Sequence, residues 1–209
     1  MRKIIRSTDF IYVFSFAALL IATLFSRAFM HDSLLTPVLN PAIGVAFGLL
    51  LIHDRKIYPE ILSGFFFGHL LLHLYINSAE TPFVLISAVG FSVILFMEME
   101  LGLKLLKKFN ALENGNDIRI NDAFWLLLTG SLMAFFASLL ASGIYYLFQP
   151  NILSLLDIFL TIFLSHLLSI GIFTLLICLN KGISKREYSL YKTLWGFMFI
   201  TLYAFAIYY

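Results

Sequence analysis

Apolar residues along this chain fall into long blocks, separated by short stretches where Gly, Pro and charged side chains gather. Such blocks lie near residues 10–30, 37–52, 57–76, 82–103, 123–148, 152–179 and 193–209. A run such as FWLLLTGSLMAFFASLLASGIYYLF is far longer than the ~10-residue strand of a membrane barrel and lacks its strict alternation. Wound as a helix, about 20 apolar residues cross the hydrocarbon layer, and a helix pairs its own backbone groups where no water can. The pattern therefore predicts an all-α fold, a polytopic membrane helical bundle of about seven transmembrane segments. Residues 1–209 form one integral membrane domain with no soluble part, and the last segment, 193–209, is at the lower limit of a span.

One block departs from the pattern. LNPAIGVAFG, Leu39 to Gly48, places Asn40-Pro41 at membrane depth and then spaces two glycines. From Pro41 to Ile52 a helix would extend only about 18 Å. Asn40 precedes a proline and is biased away from helical geometry, whereas Pro41 suits the first turn of a helix. The segment is thus expected to be discontinuous at Asn40-Pro41, with an irregular entry over Leu34 to Asn40. Irregular backbone survives in lipid only beside protein or a water-filled cavity, and in transporters such breaks mark binding sites. The helix start would offer free N–H groups to an acceptor or anion. The alternative is a proline kink, with Gly44 and Gly48 serving close helix packing.

Composition agrees: 61% of residues are apolar, 12% are charged and 23 are Phe. The net charge of +2 calls for no nucleic acid. Arg2, Lys3, Arg6, Arg55, Lys56, Lys104, Lys107, Lys108, Arg119, Lys181, Lys185, Arg186 and Lys192 all fall on one side of the expected bundle, leaving Arg27 as the exception. The positive-inside rule makes that side, and the N-terminus, cytoplasmic. The first block has no cleavage site before a polar mature chain and reads as a retained helix. Cys178, the one cysteine, permits no internal disulfide and no thiolate cluster.

Ionisable side chains in a membrane segment are functional candidates by default. His69 and His73 share one helical face. His166, on an antiparallel segment, falls near the depth of His69, and Asp157 near that of His73. Nine residues separate Asp157 from His166, so they point to opposite faces unless the helix bends. Asn40, Pro41, Gly44, His69, His73, His166 and Asp157 form the candidate ligand-binding set. His-x3-His can supply two ligands to a metal or one to haem, but HLLLH lacks the Glu of a zincin motif; no metal, cofactor or catalytic residue is expected. Arg27, His31 and Asp32 close the outer end of the first segment. Glu98 and Glu100 are expected within two turns of the cytoplasmic boundary, with Glu100 reaching Lys104 at i,i+4; both are candidates for relaying a ligand signal.

NPAIGVAFGLLLIHDRKIYPEILSGFFFGHLL resembles the membrane-associated sensor domain of the first type, the MASE family of bacterial signalling proteins. Asn40-Pro41-Ala42-Ile43-Gly44 resembles its first W-P-x-x-G element and Tyr58-Pro59 with Gly64 its second. His69 stands where an asparagine is usual, and Ser165-His166 where the family tends to carry Gly-Asp. The likeness extends weakly through Gly90 and covers roughly residues 40–180. It implies an eight-helix bacterial inner-membrane sensor feeding a cytoplasmic output such as a diguanylate cyclase or histidine kinase, whose motifs the 209 residues do not contain. The expectation is a non-enzymatic module that takes an unidentified small molecule into an outward-facing pocket and signals to a cytoplasmic or membrane partner. Alternatives are a substrate-binding subunit of a transporter, similar to the S-components of vitamin importers, an intramembrane metalloenzyme, and a structural accessory subunit.

Overall fold

The computed structural model describes residues 8–26, 39–76, 81–109, 120–148 and 154–179. Of these, all but Leu39, Asn40, Phe109 and Ser154 are helical, and no strand occurs among them. The chain order is α1 (Thr8–Phe25), α2 (Pro41–His53), a 3₁₀ turn (Asp54–Ile57), α3 (Tyr58–Ile76), α4 (Thr81–Lys108) and α5 (Ile120–Phe148). α6 (Leu155–Ser169) runs through a π-helical turn (Ile170–Thr174) into α7 (Leu175–Leu179). The expected last segment at 193–209, the entry over residues 34–38, and Arg27, His31 and Asp32 lie outside the described residues.

Among the described residues three stretches are long and apolar enough to cross a membrane: Val84–Lys108, Phe124–Leu147 and Leu155–Ile177. Asp9–Phe25 is a shorter apolar helix. The outer surfaces of the long helices are apolar, as at Leu85, Val89, Val93 and Phe96 on α4 and Leu128, Leu132, Phe135 and Leu139 on α5. A soluble monomer would not expose such continuous apolar faces to water. Lipid accommodates them, and the chain is a membrane protein in which polar groups are gathered inward.

α2 is apolar all round, which fits a helix surrounded by protein, and nine of its 13 residues are buried. It packs against α1, α6, α7 and the π turn, while α1 lies along α3, α3 on α4, α4 on α5 and α5 on α6. Gly64 and Gly68, four residues apart, form the small face that lets α3 approach α1: a Cβ on the first would sit 2.6 Å from the Phe16 carbonyl oxygen, and on the second 2.6 Å from Thr23 Cβ. α2 ends at Asp54, whose φ of 61° lies in the left-handed region. Such a residue without a glycine's freedom stores roughly 1–3 kcal/mol of strain, held here at the turn from which Arg55 emerges.

Candidate functional site

The break before α2 is present: Leu39 and Asn40 are non-helical and buried, and Pro41 opens the helix. Asn40 caps it, its Oδ1 accepting from Ala42 N–H at 3.3 Å, with its carbonyl accepting from Ile43 N–H at 3.3 Å. Ser26 Oγ lies 3.0 Å from the same Oδ1 and ties the cap to α1. Gly44 N–H donates to Ser169 Oγ at 2.8 Å, and Pro41 has no N–H to offer. The expectation of free donors at the start of α2 is therefore corrected. The protein itself supplies their acceptors, because donors left unpaired in a dry interior would be costly.

Gly44 is also corrected, from a ligand-pocket glycine to a packing position. A Cβ there would overlap the Ser169 carbonyl oxygen. Its carbonyl accepts from Thr174 Oγ1 at 2.9 Å, so both polar groups of Gly44 engage the facing helix. Ser169 and Thr174 are five residues apart, which in an α-helix turns them roughly 140° away from each other. The i→i+5 winding of the π turn brings them back to one side. That turn is what lets α6 grip α2 at two points.

Beside this junction lies a cavity with about 40 Å³ open to the centres of water molecules. At about 10–15 Å³ per water centre, it has room for roughly three waters or a very small molecule. Asn40 lines it from the helix break, His69 from α3, Glu98 from α4, Tyr145 from α5, and Ser165 and His166 from α6. His166 Nδ1 is 3.0 Å from Glu98 Oε1, with side-chain exposures of 10% and 0%. Glu98 lies six residues, about 9 Å of helix, before Lys104, and His166 is eleven from each end of Leu155–Ile177.

The other Glu98 oxygen, Oε2, and Ser165 Oγ are buried without a hydrogen-bond partner among the described residues. Aromatic rings pack the remaining wall. His69 stacks on Phe91 at 5.3 Å and meets Phe65 edge-on at 4.6 Å, and Phe91 lies 5.0 Å from Tyr145. Among the described residues no Lys or Arg lines the cavity.

Of the candidate residues, the structure thus brings Asn40, His69, His166 and Glu98 together around one cavity. Pro41 is buried at the first turn of α2 but does not line it. The His73 side chain lies outside the described residues. Asp157 is exposed in the first turn of α6, where Ser154 Oγ donates to its Oδ2 at 2.6 Å and accepts from its N–H at 3.2 Å. It belongs to a helix cap and not to the cavity. Glu100 is bound by Arg55 Nη2 at 3.0 Å and receives the Tyr58 hydroxyl at 2.9 Å, in place of the expected Lys104 contact. The α2–α3 turn brings both partners to α4 from 42 or more residues away, which no i,i+4 rule registers.

Ser165, Tyr145 and Phe91 line the cavity and Ser169 braces α2, positions that the sequence does not single out as candidate ligand-binding residues. Ser165 had a signal, its place beside His166; the others are ordinary apolar or small residues of their blocks. Among the described residues no group of three or more His, Cys, Asp or Glu could hold a metal ion. No family model matches the chain, and neither a curated protein nor a solved structure matches it.

Proposed function

We propose that the chain is a multi-pass plasma-membrane sensor of about seven spans with a cytoplasmic N-terminus, as its Lys and Arg distribution suggests. It holds a small polar ligand in the cavity between Asn40, Glu98 and His166 and passes occupancy along α4 to the Arg55–Glu100–Tyr58 cluster. A partner reads that cluster. The observation that carries this reading is the buried Glu98–His166 pair on a cavity between the helices, two residues from a second glutamate held by the α2–α3 turn. An intramembrane ionisable side chain facing a cavity is expected to serve function, and burying polar groups carries a desolvation cost that their mutual hydrogen bond must offset. The resemblance to bacterial sensor domains points the same way. A vitamin-capturing transporter subunit is less well served, because the cavity offers only about 40 Å³ to water centres.

The test is a distance measurement by paired spin labels at Lys56→Cys and Lys104→Cys, in a Cys178→Ser background reconstituted in nanodiscs. Glu98→Gln neutralises the interior carboxylate and keeps its shape. The account expects the distance distribution between the labels to shift in Glu98→Gln. Superimposable distributions would remove the relay from cavity to turn.

A further inference from the structure

The cavity's own chemistry narrows what it can hold; the inference rests on the reading of this cavity as the sensing site. Among the described residues Glu98 is its one carboxylate, wholly buried, with Oε1 on His166 and Oε2 unpartnered. Ser165 Oγ, in a residue 2% exposed, is a second unpartnered oxygen on the same lining. A buried acceptor without a donor is costly, so these two oxygens mark where donors belong. An anion is disfavoured there. It would meet a carboxylate, find no Lys or Arg among the described residues, and find the N–H groups at the start of α2 already engaged.

Among cations, hard metal ions ask for about six oxygen ligands, and the aromatic wall supplies none. An ammonium group differs. It donates N–H to two or three acceptors and presents its remaining charge to aromatic faces, whose quadrupoles attract it. Phe91 and Tyr145, with ring centroids 5.0 Å apart, are such aromatic side chains on the same lining as Glu98, one face of Phe91 being taken by His69. The volume, equivalent to roughly three waters, accommodates a cation of one or two heavy atoms and excludes a quaternary ammonium.

We propose that the cavity binds a small primary ammonium ion, of ammonium to methylammonium size, with Glu98 as counter-ion, Ser165 as second acceptor and Phe91 and Tyr145 as the aromatic wall. The probe is methylammonium chloride, titrated into the full chain in nanodiscs against NaCl at equal ionic strength. Tryptophan-fluorescence unfolding is the readout. The expected result is a saturable rise in unfolding temperature with methylammonium and none with tetramethylammonium. Glu98→Gln weakens the midpoint about tenfold or more, as loss of a charge-assisted hydrogen bond should. Ser165→Ala and Phe91→Leu weaken it by smaller factors, and they carry the test if Glu98→Gln does not fold. A response no larger than that to NaCl, an equal response to tetramethylammonium, or midpoints unchanged in every folded variant overturns the proposal.

The spin-label pair separates this inference from the function it rests on. Saturable methylammonium binding with no change in the 56–104 distance supports the ligand class and overturns the relay. A distance that responds to Glu98→Gln without methylammonium binding keeps the relay and overturns the ligand class.

Discussion

Glu98 and Glu100 stand two residues apart on α4, about 200° around the helix from each other, and each faces a basic partner 3.0 Å away. Their surroundings differ more than their partners do. The Glu98 side chain is fully buried against His166, whereas Glu100 is 19% exposed and its partner Arg55 is 60% exposed. In the interior, neither member of the pair can fall back on water, so each depends on the other. At the rim, water replaces a lost partner at little cost, and such pairs are worth roughly 0–1 kcal/mol. The interior pair is suited to holding a site in shape. The rim pair is suited to being made and broken, as a relay requires.

The largest effect is expected from breaking the interior pair on one side only. His166→Ala should lower stability by about 3–5 kcal/mol, read as a fall in unfolding temperature in nanodiscs. A loss below ~1 kcal/mol, the scale of surface pairs, would erase the contrast. The second concerns the junction that frames the cavity. Gly44→Ala forces α2 away from Ser169 and should cost about 1–3 kcal/mol, the range for overpacking, because the overlapping atom is backbone and cannot rotate aside. The equivalent change at Gly143, where nothing lies within 4 Å, is the control and should be near neutral. The smallest effect belongs to the rim. Arg55→Ala should cost under ~1 kcal/mol, and added salt should narrow its difference from the unchanged chain. A loss as large as that of His166→Ala would make the two regions equivalent.

The bilayer leaves a strong imprint on sequence, and what it dictates was legible. Helices in place of strands, long apolar blocks and the helix start at Pro41 follow from hydropathy and proline geometry alone. Gly64 and Gly68, four residues apart on one helical face, carry a packing signal as well. The site was half legible. Asn40, His69 and His166 were nameable because polar groups are rare at membrane depth, and their meeting at one cavity was inferable from counting rise. The partner of His166 was not. Depth counted along each helix pairs His166 with His69, and it carries no information on which face of α4 turns Glu98 toward α6. The role of Gly44 was hidden for another reason. It depends on a π turn 125 residues away that aims Ser169 at its N–H, and IGIFT has nothing in its composition to announce that winding. Asp157 was misplaced because a carboxylate at a helix start serves equally as cap and as ligand, and Ser154 three residues earlier decides for the cap.

The central claim, that Glu98 and His166 act as one interior unit, is tested most directly by a double-mutant cycle on unfolding stability: Glu98→Leu, His166→Leu and both together. The account predicts that each single change is strongly destabilising and that the double change restores much of the loss, with a coupling of about 2 kcal/mol or more between neighbours in one polar network. Strictly additive losses, with the double variant the least stable of the three, would contradict it.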